Sequence, residues 1–281
     1  MATPDLQHWV MLHVAAERVL GAFTSARVET VTLKGLALSG SLYADGARPM
    51  RDVDVLVRDP AKARAVLREL GAQPVPTGAR PLAMTTRPAW GWITAEGAHI
   101  DLHQTVGAPL RWRPDLDGLF ERAVPHPVGD VVSLRPADED LLLTLAIDAA
   151  KDEFSGKPQV FEDIRRVVER LELDWGALTE RSRRWRCNVA LWTALKLAEA
   201  EAPEDVMRRI RPRWAKRALL SRVLDGDGMP PGLWRQLRVG SLLTDSWWRF
   251  GAASGRFVAL RGADWALSAR SEPQATGRSR S

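Results

Sequence analysis

The chain has 281 residues, 45% of them hydrophobic and 27% charged, a composition that fits a globular protein and excludes a disordered or collagen-like one. Its single cysteine, Cys187, excludes an internal disulfide framework and fits a reducing compartment. The N-terminus lacks the basic flank and apolar core of a signal peptide, and no apolar run approaches the roughly 18 residues of a membrane span. We therefore expect a cytoplasmic protein that does not cross a membrane.

The net charge of +5 is concentrated at the C-terminal end, where residues 201–281 carry 15 basic and 8 acidic side chains. A basic surface can bind nucleic acid or an acidic partner, but a solvated Arg-rich surface explains the same composition. Nucleic acid therefore stays a possible partner of the basic C-terminal region.

The first part of the chain alternates helices and strands. Apolar periodicity and turn residues predict a helix over 6–23, a strand over 28–33, a helix over 36–43, a strand over 51–57 and a helix over 60–70. Two further strands, over 89–95 and 98–106, flank Glu96-Gly97 and should form a β-hairpin. Residues 72–88 are expected to be a loop, and residues 107–135 are expected to be irregular with a short helix near 116–123.

From Asp138 onward the pattern becomes wholly helical. Helices are predicted over 137–154, 159–171, 174–187, 189–200, 203–210, 212–224 and 231–268. We therefore expect an α+β fold with a mixed sheet and flanking helices over 1–135, an all-helical C-terminal half over 136–268, and a disordered tail over 269–281.

The most informative motif is Asp52-Val53-Asp54, which lies inside a β-branched run. Alternate side chains of a strand share a face, so the two carboxylates point the same way and Val53 and Val55 point into the core. Two carboxylates on one face repel each other unless a cation binds between them, and oxygen ligands suit Mg²⁺. On its own, the motif is also compatible with two solvent-exposed aspartates that bind no metal.

A third carboxylate, Asp101, lies between Ile100 and Leu102 on a predicted strand and faces away from them. If the hairpin pairs beside the 51–57 strand, Asp101 joins Asp52 and Asp54 on one face. Three carboxylates can hold two Mg²⁺ ions about 4 Å apart, the spacing that serves an in-line phosphoryl displacement.

Glycine and basic residues near this motif predict a phosphate site. Gly35 lets backbone N–H groups approach a phosphate at the start of a helix, and Lys34 adds a positive charge. Arg48 and Arg51 precede the carboxylates and are within reach of triphosphate oxygens. Lys34 is equally compatible with a solvated helix cap, and Arg51 with a neighbouring salt bridge.

Two other interpretations involve the predicted hairpin. His99, Asp101 and His103 share a strand face, as the ligands of a two-His-one-carboxylate iron site do, but that site leaves Asp52 and Asp54 unexplained. His103 is better interpreted as a residue that orients Asp101. The aromatic pair Trp90 and Trp92 is expected to pack in the core, with base stacking as the alternative use.

These motifs together resemble the uncharacterised nucleotidyltransferase family of the polymerase-β-like superfamily, over about residues 5–200. The matching segments are Leu33-Lys34-Gly35, Leu42-Tyr43, Arg48-Pro49-Met50-Arg51-Asp52-Val53-Asp54 and Ile100-Asp101-Leu102-His103, followed by Pro136 to Ala146, Ala149-Ala150-Lys151, Asp163-Ile164 and Asp174-Trp175. The resemblance implies that Gly35 forms the phosphate turn, that Asp52, Asp54 and Asp101 are metal ligands and catalytic residues, and that Lys34 and Arg48 occupy family positions.

The chain departs from the family pattern at two places. The superfamily usually has Gly-Gly or Gly-Ser where this chain has Lys34-Gly35, so a serine contact to phosphate is missing and Lys34 takes its place. The family's helical half often has histidine where this chain has Asp148 and Asp152. Lys151 matches the family and is expected to bind phosphate from the helix, although an exposed salt bridge explains it equally well.

The resemblance implies Mg²⁺-dependent transfer of a nucleotidyl group from an NTP, with ATP as the expected donor and two ions as cofactors. The expected acceptor is a hydroxyl or phosphate on a small molecule or modified peptide, and the helical half is expected to select it. Two alternatives stay open: a non-catalytic nucleotide- or peptide-binding module of the same fold, and a toxin-type enzyme that nucleotidylates protein or tRNA.

Overall fold

The computed structural model describes residues 4–76, 89–108, 111–154, 158–224 and 242–245. The helices within these residues are α1 Pro4–Ser25, α2 Lys34–Leu38, α3 Pro60–Glu69, α4 Leu116–Arg122, α5 Asp138–Lys151, α6 Pro158–Arg170, α7 Trp175–Trp185, α8 Asn188–Leu197, α9 Glu204–Ile210 and α10 Trp214–Leu224. The strands are β1 Thr30–Thr32, β2 Val53–Val57, β3 Gln73–Pro74, β4 Ala89–Ile93, β5 His99–His103, β6 Val124–Val128 and β7 Val131–Arg135.

Five strands form one mixed sheet in the order β1-β2-β5-β4-β3. The central pair, β2 and β5, is parallel, whereas the other neighbours are antiparallel. The predicted hairpin is confirmed as β4 and β5, and it does pair beside the strand that carries the D-x-D motif.

The two faces of the sheet pack against different parts of the chain. Val53, Val55 and Val57 are at most 2% exposed and belong to the core that the sheet forms with α1 and α3. Leu56 points to the opposite face and belongs to a second core that includes α5, α6 and the later helices. Because side chains alternate along β2, Asp54 also points to this second face, toward the helical part of the chain.

The predicted fold class is confirmed, because a mixed sheet with flanking helices comes first and every element described after residue 138 is a helix. The second core contains residues from both sides of position 135, and the domain boundary at that position stays a prediction. The predicted helix over 231–268, apart from 242–245, and the tail over 269–281 lie outside the described residues, as do 77–88 of the predicted loop. Within the described residues, no helix combines the length and apolar character needed to cross a bilayer.

Two local predictions are wrong. The helix expected over 36–43 ends at Leu38, and Gly40 beyond it adopts a positive φ of 72°. Residues 124–135, which were expected to be irregular, form the β6–β7 hairpin, which turns at Gly129. Pro125 and Pro127 concealed this hairpin, since proline usually argues against a strand but is tolerated on an edge strand such as β6.

Candidate active site

The two strand aspartates are neighbours in the sheet. Asp54 lies opposite Asp101 in the parallel pairing of β2 and β5, so both carboxylates lie on the face that meets the helical part. The Asp54 side chain is only 2% exposed, whereas Asp101 is half-buried. The sequence pattern therefore brings a buried and an accessible carboxylate side by side.

His103 contacts Asp54 rather than Asp101, which it was expected to orient. Its Nε2 atom lies 2.7 Å from Asp54 Oδ1, and both side chains are buried. One donor atom from each of Asp54, Asp101 and His103 lies within 4.8 Å of the others, a cluster compact enough to hold one cation. His99, the other histidine of the iron-site interpretation, has its Nδ1 atom 3.8 Å from Asp101 and lies outside this cluster.

Lys34 occupies the centre of the site. Its Nζ atom donates to Asp54 Oδ1 at 2.7 Å and lies 3.4 Å from Asp148 Oδ1. Burial alone would lower the pKa of Lys34, but the Asp54 and Asp148 carboxylates outweigh it and raise that pKa above its ordinary value. The ammonium therefore stays charged and lies between the two carboxylates.

The backbone at Lys34 is also unusual. Its φ is +48°, in the left-handed region that favours glycine and costs an ordinary residue about 1–2 kcal/mol. A residue with a long side chain therefore carries the strain of a left-handed backbone at this turn. Strain that is held in place by specific contacts is typical of functional sites.

Opposing effects act on the two aspartates of the D-x-D motif. Burial would raise the pKa of Asp54, but Lys34 and His103 outweigh it and hold that pKa well below its ordinary value. For Asp52, burial and the Asp54 charge raise the pKa, and Lys34 offsets only part of this effect. Asp52 is therefore less well neutralised than Asp54, as expected for a carboxylate that can accept a further cation.

Helix α5 adds residues from the helical part of the chain. Asp148 bridges Lys34 and Lys151, with Lys151 Nζ 2.9 Å from its Oδ1 atom. Asp148 and Lys151 line a cleft together with Lys34, His103 and Thr144. Sequence reasoning set Asp148 aside because it departs from the family pattern; the available signal was its spacing of three residues from Lys151, which puts both on one face of the helix.

The remaining predicted phosphate ligands lie at the edge of the site. The Arg48 guanidinium is bonded to Asp163 of α6, and its Nη1 atom lies close to Gly35. Arg51 is exposed at the residue before Asp52. The structure thus places Arg48 beside the turn, while the roles of both arginines as phosphate ligands stay predictions.

The two tryptophans of β4 lie on the other face of the sheet. Trp90 pairs with Leu102 and Trp92 with Ile100, and both pack against the core formed with α1 and α3. Base stacking over the aspartates is therefore excluded for both, and the core-packing interpretation is correct. Gly91, between them, shares the face of Asp101, and the Val75 and His99 side chains lie close above it.

The low pKa of Asp148 gives a prediction for acid stability. Burial would raise this pKa, but Lys34 and Lys151 outweigh it, so the folded value lies below the unfolded value of about 3.9. The unfolded state then binds the proton first, and the contribution of Asp148 to the free energy of unfolding is complete above about pH 5 and lost as the pH falls. Between about pH 5 and 3, urea denaturation should therefore show a shallower fall in the free energy of unfolding for Asp148→Asn than for the wild type.

A suitable control for that experiment is Asp117→Asn, which removes an exposed carboxylate from the start of α4. Equal pH slopes for the Asp148 variant and the wild type would contradict the proposed coupling of Asp148 to the two lysines.

Comparison with known proteins gives a family match and several similar solved structures. The model of a family described as uncharacterised nucleotidyltransferase matches residues 7–202. Comparison with curated proteins gives no match. One similar solved structure is an antigenic nucleotidyltransferase-like protein from Paracoccidioides brasiliensis, with 17% identity and a TM-score of 0.44; the match covers 75% of this chain and 94% of that one. Another is MenT4, a nucleotidyltransferase toxin from Mycobacterium tuberculosis H37Rv, with 14% identity and a TM-score of 0.44; the match covers 96% of this chain and 90% of that one. Since the family match alone spans well over half of the sequence, the chain belongs to the uncharacterised nucleotidyltransferase family.

Proposed function

We propose that the protein transfers a nucleotidyl group from an NTP to a hydroxyl or phosphate acceptor and releases pyrophosphate. The observation that carries this proposal is the register of Asp54 beside Asp101, with Lys34 of the adjacent turn bonded to Asp54. Nucleotidyl transfer needs carboxylates for divalent cations and positive charge for the triphosphate, and this arrangement offers both within one cleft.

The carboxylates fit a divalent cation. Asp54 and Asp101 offer oxygen donors within 4.8 Å of each other, and Asp52, which lies outside that cluster, adds a carboxylate two residues before Asp54. In this proposal Asp52, Asp54 and Asp101 hold Mg²⁺, which would neutralise the charge that develops on the phosphates during transfer. Two ions and ATP as the donor are part of the proposal.

The residues of the turn and of α5 bind and orient the donor. Lys34 and Lys151 place two ammonium groups along the cleft, and Gly35 lets the Arg48 guanidinium lie against the phosphate turn. Arg48 and Arg51 supply further positive charge at the edge. Asp101, the more accessible of the two paired carboxylates, would accept the proton of an attacking hydroxyl.

The acceptor would contact the helical part of the chain, because that part supplies the wall of the cleft opposite the sheet. A small molecule or a modified peptide is the proposed acceptor class. In this view the helical half over 136–268 is the specificity domain.

The test is thermal unfolding with each of the four NTPs, with and without Mg²⁺, combined with a pyrophosphate-release assay. A ligand at about 100 times its dissociation constant should stabilise the fold by roughly 2.7 kcal/mol. We expect one NTP to stabilise the wild type in a Mg²⁺-dependent manner, and this effect should be absent in the Asp52→Asn/Asp54→Asn double variant.

The chain offers a matched control, because Asp115-Leu116-Asp117 has the same spacing but lies exposed at the start of α4. The Asp115→Asn/Asp117→Asn variant should keep the full NTP effect and lose little stability, because asparagine caps a helix about as well as aspartate and the exposed ion pairs that it removes contribute at most about 1 kcal/mol each. Stabilisation by an NTP without pyrophosphate release, across a panel of hydroxyl and phosphate acceptors, would favour the non-catalytic binding module instead.

A further inference from the structure

Arg48 is held by a carboxylate from the helical part of the chain. Its Nε atom donates to Asp163 Oδ1 at 2.9 Å and its Nη2 atom to Asp163 Oδ2 at 2.6 Å, which is the two-pronged geometry that fixes a guanidinium plane. Asp163 lies on α6 and is 0% exposed, and the Arg48 side chain is 13% exposed. This pair is therefore a buried contact and not a surface salt bridge.

Further donors hold the same carboxylate. Tyr43 Oη donates to Asp163 Oδ1 at 2.8 Å, and Gln159 Nε2 donates to the same oxygen at 3.2 Å. A buried charge pair recovers its desolvation cost only when such additional hydrogen bonds satisfy it. Asp163 is thus fixed from three directions and cannot turn away without leaving a buried guanidinium unpaired.

The third nitrogen of the guanidinium lies beside the phosphate turn. Arg48 Nη1 lies 2.5 Å from the position that a Cβ atom on Gly35 would take, so the guanidinium occupies the space that glycine leaves beside the turn. This nitrogen also donates to the Pro49 carbonyl at 3.2 Å, within the loop that carries Arg48. Asp163, which binds Nε and Nη2, is the partner from the helical part of the chain that holds this charge beside the turn.

We propose that Asp163 is a positioning residue, which holds Arg48 against Gly35 and so fixes the phosphate turn from the helical part of the chain. The phosphate-binding consequence of this proposal rests on the proposed function, whereas the positioning of the turn does not. A purely structural bridge between α6 and the loop before β2 is the competing explanation, and it predicts a loss of stability without a specific effect on the turn.

The chain contains a matched control for Asp163. Asp140 of α5 is also 0% exposed and is also bonded to arginines, with Arg122 Nε at 2.9 Å and Arg181 Nη1 at 3.2 Å. Asp163→Asn and Asp140→Asn each neutralise a buried carboxylate that pairs with arginine, so both should destabilise the fold. Only the Asp163 variant should affect the turn.

Two measurements on the full-length chain decide the question. Hydrogen exchange of the amides of residues 33–38, without ligand, should be at least ten-fold faster in Asp163→Asn and unchanged in Asp140→Asn. The dissociation constant for Mg²⁺-tripolyphosphate, a probe of the turn that carries no base, should rise at least ten-fold in Asp163→Asn only.

Arg48→Lys is a second variant for the case in which Asp163→Asn does not fold. It keeps the charge but removes the fork that Asp163 grips, and it should show the same faster exchange at the turn. Equal exchange at 33–38 in the Asp163, Arg48 and Asp140 variants would overturn the proposal. If the wild type binds no tripolyphosphate, the proposed function fails, and the exchange data still decide whether Asp163 positions the turn.

Discussion

The Asp54→Asn variant should lose nucleotidyl transfer by about 10³-fold or more. Asp54 is central to the site, since it neighbours Asp101 on the adjacent strand and bonds both Lys34 and His103. An asparagine keeps the shape but removes the charge that would hold a cation and fix the ammonium. Removal of one preorganised electrostatic contact commonly costs about 10²–10³-fold in rate, and Asp54 supplies several.

The same variant should remain folded. Breaking a fully buried ion pair costs about 3–5 kcal/mol, but Lys34 is 22% exposed and keeps Asp148 as a second partner, so the loss of stability should be smaller. Pyrophosphate release gives the rate, and urea denaturation gives the stability. The control is Asp140→Asn, which should cost stability while leaving the rate within a few-fold; an Asp54 variant that keeps its rate within ten-fold would remove this carboxylate from the mechanism.

Local sequence features were sufficient to identify the carboxylate pair. Two of the four D-x-D patterns in the chain are Asp52-Val53-Asp54 and Asp115-Leu116-Asp117. Only the first lies in a β-branched run, which predicts a strand with both acids on one face, and the structure has Asp54 within β2. The second precedes a helix, where Asp115 accepts a hydrogen bond from the Gly118 amide as an N-cap. Strand periodicity therefore separated a candidate site from a helix cap.

The contacts made by the helical part were not predictable in the same way. Asp148 and Asp163 each lie on a helix with several other charged residues, and helix periodicity gives the face of each residue but not its partner more than 100 positions away. The contact of His103 with Asp54 was not predicted for a related reason. Asp54 and Asp101 are neighbours on the face that also carries His103, so the pattern does not say which of them the histidine contacts. Side-chain pairing across a sheet depends on register and rotamer, and sequence pattern fixes neither.

The backbone conformation of Lys34 illustrates how local and tertiary preferences conflict. Intrinsic preference argues against lysine at a φ of +48°, and sequence reasoning left this residue open between a phosphate contact and a solvated cap. The structure shows a third arrangement, in which the ammonium is held between Asp54 and Asp148. In the proposed function, a triphosphate would compete with Asp54 and Asp148 for the Lys34 ammonium.

The Gly35→Ala variant should bind its NTP at least ten-fold more weakly. Its φ is not positive, so alanine suits the backbone, and in a helix this change usually stabilises by up to about 1 kcal/mol. The obstacle is space: the new methyl group would lie 2.5 Å from Arg48 Nη1 and 2.9 Å from Met50 Cγ. The arginine cannot swing away freely because Asp163 grips it, so the turn must move, at a cost of about 1–3 kcal/mol in stability.

Gly21→Ala separates this effect from the general effect of adding a methyl group. Gly21 lies inside α1, and its nearest neighbour would be Val131 Cγ2 at 3.5 Å, an ordinary van der Waals distance. This variant should keep its KM and be equally or more stable, whereas Gly35→Ala should raise the KM and unfold at a lower temperature. In the Asp163→Asn background Arg48 can move away from the new methyl group. The additional loss of stability caused by Gly35→Ala should therefore be smaller, and a double-mutant cycle measures this coupling directly. Fully additive effects would mean that Asp163 does not hold Arg48 against the turn.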